Sequence, residues 1–179
     1  MNSAAPRMQA GHDAPAGARR LRRLLLDAQC SGCVASLLST LVVSLFSHLR
    51  TGHAAAGTNS ASQWIWYPQA RSRSAASWRH TGIGYLIHHA SSVFWAVGYQ
   101  LLRPAETDRR GQALRAASIA AVAYWVDYKV VPRRLSPGFE GKIGAAGMWA
   151  TYAVFGVGLV LGSRRRSRSG NCVGARSKA

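Results

Sequence analysis

The sequence predicts an all-α protein, a four-helix transmembrane bundle with disordered basic termini. Four long apolar stretches support this prediction, at about 24–49, 82–102, 113–131 and 143–162. Each is close to the roughly 20 residues that a helix needs to cross a bilayer. The sequence outside them is polar and rich in arginine, and it is too short to form a soluble domain with its own core.

The chain is therefore expected to have one folded domain and two tails. Residues 1–23 combine alanine, glycine, proline and serine without periodicity and end in an arginine cluster, so they are predicted to be a disordered basic tail. The transmembrane domain is expected over 24–162. Residues 163–179 are rich in arginine, serine and glycine and are predicted to be a second disordered basic tail.

The strong positive charge has to be explained with these spans in view. The 179 residues include 23 Lys+Arg and only 6 Asp+Glu, which gives a formal net charge of +17. Such a charge often indicates nucleic-acid binding, but here the basic residues flank apolar spans. Anionic lipid headgroups are therefore the expected partner, and nucleic acid is not. A homo-oligomer or a membrane-protein partner stays open.

The distribution of basic residues predicts the orientation. More arginines and lysines lie in the tails and in the 103–112 connection than in the 50–81 and 132–142 connections. This bias predicts cytoplasmic N and C termini. A cleaved signal peptide is an alternative for the first span, because three alanines, Ala54–Ala56, follow its apolar run. Arg50 and His53 lie in the region where cleavage would occur and argue against it.

Small residues recur at helical spacing within the spans and predict where the helices pack. Helices in lipid gain stability mainly from close backbone approach and interhelical hydrogen bonds. The third span has Ala113, Ala117 and Ala121 at four-residue spacing, with Ala116 and Ala120 beside them, and the fourth has Gly158 and Gly162. Both strips are expected to face the interior of the bundle.

Ionisable residues within the spans are candidate functional residues, because a charge in the bilayer is costly. The candidates are His48 in the first span, His88 and His89 in the second, and Asp127 in the third. Alternating helix direction places all four towards the same end of the bundle. The favoured interpretation is an interhelical polar contact that fixes the geometry. The alternative is a His–Asp pair that carries or senses protons.

The sequence predicts no cofactor and no metal site. Haem held between His48 and His88 or His89 is one alternative, since membrane cytochromes bind haem between histidines on different helices. Cys30 and Cys33 form a Cys-x-x-Cys, but the chain has no second cysteine pair to complete a tetrahedral metal site. No phosphate loop, catalytic triad or metalloprotease motif is found, so the protein is not expected to be an enzyme.

The second span resembles a family. Its segment 88–99 has a histidine followed four residues later by serine, then an aromatic residue and Ala-Val-Gly-Tyr, at His88, Ser92 and Trp95–Tyr99. This pattern resembles the YagU-like family of small bacterial inner-membrane proteins, as does the order of one span, a long outer connection and three further spans. The resemblance implies a four-helix inner-membrane protein, favours His88 over His89, and supplies no catalytic residue.

These observations lead to two expectations about function. The first is a small, non-enzymatic accessory or stress-related component of the bacterial inner membrane. The second is a proton-linked transporter or channel subunit that uses His88 and Asp127. A transporter should have a polar cavity that water reaches from the outer face, whereas an accessory protein should have a sealed interior.

Overall fold

A computed structural model of the chain describes the backbone of residues 15–102 and 108–176, and side chains within those ranges up to residue 163. In these ranges the protein contains helices and no strands, which confirms the all-α prediction. The α-helices are α1 (Ala16–Thr51), α2 (Ala55–Ala61), α3 (Gln63–Trp66), α4 (Ile83–Leu101), α5 (Arg109–Trp125) and α6 (Glu140–Arg176). Single turns of 3₁₀-helix (Gln69–Ser72) and π-helix (Trp78–Gly82 and Val126–Val130) extend or connect them.

The four long helices coincide with the four predicted spans, but only two of them meet a strict test for crossing a membrane. By length and composition, α1 and the Glu140–Ser163 part of α6 are long and apolar enough. Helix α5 has only 17 residues before its π-helical turn, and α4 contains two histidines, two serines and a glutamine. The four-span prediction is thus only partly confirmed.

The four long helices form a bundle with one weakly closed side. Helix α1 packs extensively on both α6 and α4, and α5 packs on α6. The α4–α5 contact is much smaller. A surface groove therefore remains on the α4–α5 side of the bundle.

The predicted tails are partly wrong. Helix α1 begins at Ala16, directly after Pro15, so the arginine cluster is helical and not disordered. Leucine and arginine favour helix, and no proline lies between Pro15 and the end of α1, so the helix extends outward from the span. The backbone of α6 is likewise helical to Arg176. The predictions for residues 1–14 and 177–179 lie outside the described residues.

The distribution of side chains in the bundle is the reverse of that in a water-soluble helical protein. Helix α1 buries small and polar residues completely, including Ala35, Ser36 and Ser39, and leaves Leu41 66% exposed. The other long helices also direct large apolar side chains outward: Phe94 and Leu101 on α4, Leu114, Val122 and Trp125 on α5, and Trp149 and Val157 on α6. Small residues inside and large apolar residues outside are typical of helices that pack in lipid.

Glycines allow the closest helix contacts. A Cβ atom at Gly162 would lie 2.6 Å from the carbonyl oxygen of Cys30, and one at Gly158 would overlap the backbone of Ala35. The predicted strip on the fourth span therefore faces α1. The predicted strip on the third span is partly right: Ala116 and Ala120 are buried, whereas Ala113, Ala117 and Ala121 are exposed. Helix α5 is rotated so that Ile119 and Ala123 complete its buried face.

Helix α2 closes the end of the bundle at which α1 ends and α4 begins, which we call the loop end. Residues 56–63 are all buried, although most are small or polar. Gly57 donates its backbone N–H to Ser47 of α1, and the Thr58 carbonyl packs directly on Gly84 of α4. The long connection after α1 thus inserts between the helix ends.

Candidate functional site

The two adjacent histidines of α4 face helix α1 and bind serines there. Nε2 of His88 lies 2.9 Å from Oγ of Ser39, and Nδ1 of His89 lies 2.8 Å from Oγ of Ser36. Both serines are completely buried. Because Ser36 and Ser39 are three residues apart, they project from one face of α1, where adjacent residues of α4 can reach them. These hydrogen bonds fix the contact between α1 and α4.

Asp127 lies in the π-helical turn that follows α5. Its Oδ2 accepts a hydrogen bond of 2.7 Å from the hydroxyl of Tyr152 on α6. Tyr152 also makes an edge-to-face contact with Tyr124, one turn before Asp127. The carboxylate therefore joins the end of α5 to α6, as the histidines join α4 to α1.

His88 and Asp127 line the same small cavity, without a hydrogen bond between them. This cavity, of about 50 Å³, lies between all four long helices, and most of its lining is apolar, as at Phe155. We call it the polar cavity after the polar side chains that also line it, such as Ser39 and Thr151. A cavity of this size has room for a few water molecules at most. The predicted direct His–Asp contact is therefore absent, and each residue has a different protein partner: Ser39 for His88 and Tyr152 for Asp127.

A second, wider pocket reaches Asp127 from the loop end. This vestibule, of about 310 Å³, is lined by Arg71, Asp127, Tyr128, Val131, Arg133, Ser136 and Glu140. Arg71 and Glu140 form an ion pair of 2.7 Å, and Oε2 of Glu140 is buried without a hydrogen-bond partner. An unpaired carboxylate oxygen of this kind is usually hydrated. Asp127 thus borders both the vestibule and the polar cavity.

In the opposite half of the bundle, α1 packs closely on α4 and α6. The core there combines Ala28, Ala35, Ala96, Tyr99, Phe155 and Leu159, all nearly or fully buried. A Cβ atom at Gly32 would lie 2.7 Å from the Cα atom of Val93, so α1 and α4 are in backbone contact here. Along α5 and α6 the packing is more open: a groove of about 620 Å³, lined almost entirely by apolar residues, extends from Tyr152, the partner of Asp127, to Leu161.

The remaining candidate residues lie away from the cavity. His48 is exposed near the end of α1, nine residues beyond Ser39, so about 13 Å along the helix from the histidine contacts. The structure therefore does not bring together the histidines needed for the haem alternative. Cys30 and Cys33 are free cysteines, partly buried on α1.

Three important contacts could not be identified from the sequence. Ser36, Ser39 and Tyr152 are residue types that are common in helices, and their partners lie 25–53 residues away. Gln63 is fully buried, and its Nε2 donates to the carbonyls of Arg133 and Ser136, which anchors the connection that precedes α6. In the sequence, this anchor was indicated only by the mainly polar composition of residues 58–63.

An aromatic and basic surface lies at the loop end. The guanidinium of Arg79 stacks over Trp66 at 4.8 Å, and the ring of His80 meets the edge of the same indole. Partial burial, and then the charges of Arg73 and Arg79, lower the pKa of His80. Trp64, Ile65 and Tyr67 are all exposed. Such residues favour the lipid headgroup layer.

Comparisons with protein-family models, with curated proteins and with solved structures found no match. The resemblance of segment 88–99 to the YagU-like family therefore stays a prediction.

Proposed function

We propose that this chain is a multi-pass, non-enzymatic accessory component of a bacterial inner membrane. In this proposal α1, α4, α5 and α6 all cross the bilayer, and both termini are cytoplasmic. The observation that supports it best is the side-chain distribution: serine and alanine are buried between the helices, while most leucines, together with Phe94, Trp125 and Trp149, face outward. A surface of this kind is stable in lipid and would aggregate in water.

The contacts of the candidate residues favour a structural role for them. His88, His89 and Asp127 each have a hydrogen-bond partner on another helix, so together they connect α4 to α1 and α5 to α6. Interhelical hydrogen bonds in membranes each contribute about 1 kcal/mol. The close packing of α1 on α4 and α6 supports an accessory protein, and the groove along α5 and α6 is lined almost entirely by apolar residues, so it offers no polar path through the bundle.

A proton-linked transporter or channel subunit is the second candidate. The observation that favours it is the position of Asp127, which borders both the vestibule and the cavity that contains His88. Water in the vestibule would bring protons to the carboxylate from the loop end. Transport would additionally require the packed half of the bundle to open.

Proton flux separates the two candidates. The protein is reconstituted into vesicles that contain a pH-sensitive dye, and a pH gradient is imposed with and without a potassium diffusion potential. An accessory protein should leave proton entry as slow as in protein-free vesicles, for the wild type and for Asp127→Asn alike. Faster entry in the wild type that is lost in Asp127→Asn would overturn the accessory proposal in favour of the transporter.

A further inference from the structure

A wide groove runs along the α4–α5 side of the bundle. Asp127 lines this groove as well as the polar cavity and the vestibule. This lateral groove, of about 590 Å³, is lined mainly by apolar side chains, among them Leu86, Phe94, Trp95 and Val131. It also shares Trp64, Trp95 and Asp127 with the polar cavity. Its volume lies in the range of about 300–1,000 Å³ that is typical of small-molecule sites.

The charge of the groove comes from one residue. Among the residues that line it, Asp127 is the only acidic one, and there is no lysine, arginine or histidine. Asp127 accepts a hydrogen bond from Tyr152, and within the described residues it forms no ion pair. A carboxylate in such surroundings attracts a positive charge, since the medium around it screens weakly.

The aromatic lining favours the same kind of ligand. Trp64, Phe94 and Trp95 present three aromatic side chains to the groove. The face of an indole or phenyl ring attracts an organic cation by about 0.5–2 kcal/mol. An aromatic-lined groove with a single carboxylate is complementary to an ion that is both apolar and positively charged.

Two other occupants fit less well. A neutral acyl chain would fill the apolar lining and leave Asp127 without a counter-ion. An anionic amphiphile would meet the carboxylate, and the two arginines that border Asp127 in the vestibule, Arg71 and Arg133, do not line the groove. Arg134 also does not line it and donates to the backbone carbonyl of Trp64. Arg71 is moreover already paired with Glu140.

We propose that the lateral groove binds a lipophilic organic cation, which enters from the bilayer and pairs with Asp127. The proposal rests on the membrane embedding described above, because the groove then opens towards lipid. It goes beyond the accessory role by assigning a ligand class: monovalent cations with an aromatic or aliphatic body, of which lipophilic amines and quaternary ammonium or phosphonium ions are examples.

The test compares two probes of almost identical shape and opposite charge. Tetraphenylphosphonium and tetraphenylborate are titrated into the purified, detergent-solubilised full-length protein, and binding is measured by equilibrium dialysis. We expect saturable binding of the phosphonium only. Saturable binding of the borate with equal or higher affinity would overturn the proposal.

Variants then locate the site. Asp127→Asn should weaken phosphonium binding by about tenfold or more, and Trp64→Leu by about threefold to tenfold. Asp108→Asn is the matched control: it removes the same charge, and asparagine is an equally good cap for α5, where Asp108 accepts the N–H of Gly111. Trp125→Leu, on the exposed outer face of α5, is the control for Trp64.

Two further variants keep the test informative if Asp127→Asn does not fold. Asp127→Glu should retain binding, and Ala90→Trp, at an exposed position in the groove lining, should block it by filling the space. Phosphonium binding that survives both Asp127→Asn and Ala90→Trp would refute the groove site. If the protein is membrane-embedded and binds no phosphonium, this inference fails and the accessory proposal stands. If the folded protein needs no detergent, the accessory proposal itself fails.

Discussion

At the scale of single residues, serine is the residue that gives the two histidines their role. His88 and His89 could be recognised in the sequence as costly groups within a span, but their partners could not. Ser36 and Ser39 are two of five serines in the 26–47 part of α1, and only the crossing of α1 and α4 distinguishes them. A sequence shows an ionisable group within a span more readily than it shows the hydroxyl group that hydrogen-bonds to it.

Glycine determines how closely the helices approach, and it offers the clearest residue-level prediction. Gly32→Ala should destabilise the protein by about 1–3 kcal/mol, because the added Cβ would overlap the backbone of Val93, which cannot move without separating α1 from α4. In a free helix the same substitution would stabilise by about 1 kcal/mol, so the sign of the change is informative. Thermal unfolding in detergent measures it.

The matched control is Gly98→Ala on α4. There the nearest atom to an added Cβ is Cδ1 of Ile119 at 3.6 Å, an ordinary contact. The melting temperature of this variant should stay unchanged or rise slightly. If Gly32→Ala and Gly98→Ala have equal melting temperatures, α1 and α4 do not approach as closely as described.

At the scale of elements, the connection after α1 is the part that the sequence described least well. Its aromatic segment 64–67 is largely exposed. The preceding α2 segment is buried instead. Its residues have no helical or strand periodicity, and their burial depends on hydrogen bonds such as those of Asn59 to the carbonyls of Arg73 and Ala75. Patterns of apolar residues cannot indicate a buried segment that is held by polar contacts.

Gln63 tests whether this segment supports the site. Gln63→Leu keeps the volume but removes the donor to the buried carbonyl of Ser136 and one of the two donors to the carbonyl of Arg133. We expect a loss of about 1–3 kcal/mol in stability. The 131–139 connection should also become more sensitive to limited proteolysis.

The control for this variant is Gln69→Leu, at an exposed position of the same connection, which should have little effect on either measurement. Equal proteolysis of the two variants would mean that Gln63 does not anchor the connection before α6.

The end of α5 is a second element that the sequence could not specify. A regular α-helix through residue 131 was expected, but Val126–Val130 forms a π-helical turn, in which the N–H of Val131 donates to the carbonyl of Val126 at 3.0 Å. A π turn changes the direction of the residues that follow it. Helical spacing predicted that Asp127 lies towards the same end of the bundle as His88, and the two residues line one cavity, but it could not indicate the π turn or Tyr152 as the partner of Asp127.

At the scale of the whole molecule, the positions of the long helices could be predicted from the apolar stretches of the sequence. The number of helices that cross the membrane is a separate property, which cysteine labelling can measure. The predicted span 82–102 agrees with α4 within one residue at each end, and 143–162 agrees with the apolar Glu140–Ser163 part of α6, although α6 continues to Arg176. Uninterrupted apolar composition determines where a helix can be buried in lipid. Composition indicates a membrane span less clearly for α4 and α5, because their histidines, glutamines and arginines make them less apolar than α1 and α6.

Cysteine labelling in intact cells distinguishes four spans from two. In a background without Cys30, Cys33 and Cys172, single cysteines replace Ser3, Ala76 and Ala105, and a membrane-impermeant maleimide is added before and after permeabilisation. Four spans place position 105 in the cytoplasm with position 3, so that only position 76 reacts in intact cells. If only α1 and α6 crossed the membrane, positions 76 and 105 would react together. We expect the four-span pattern, because α4 and α5 carry exposed apolar side chains such as Phe94 and Trp125, which water would solvate poorly along the whole open side of the bundle.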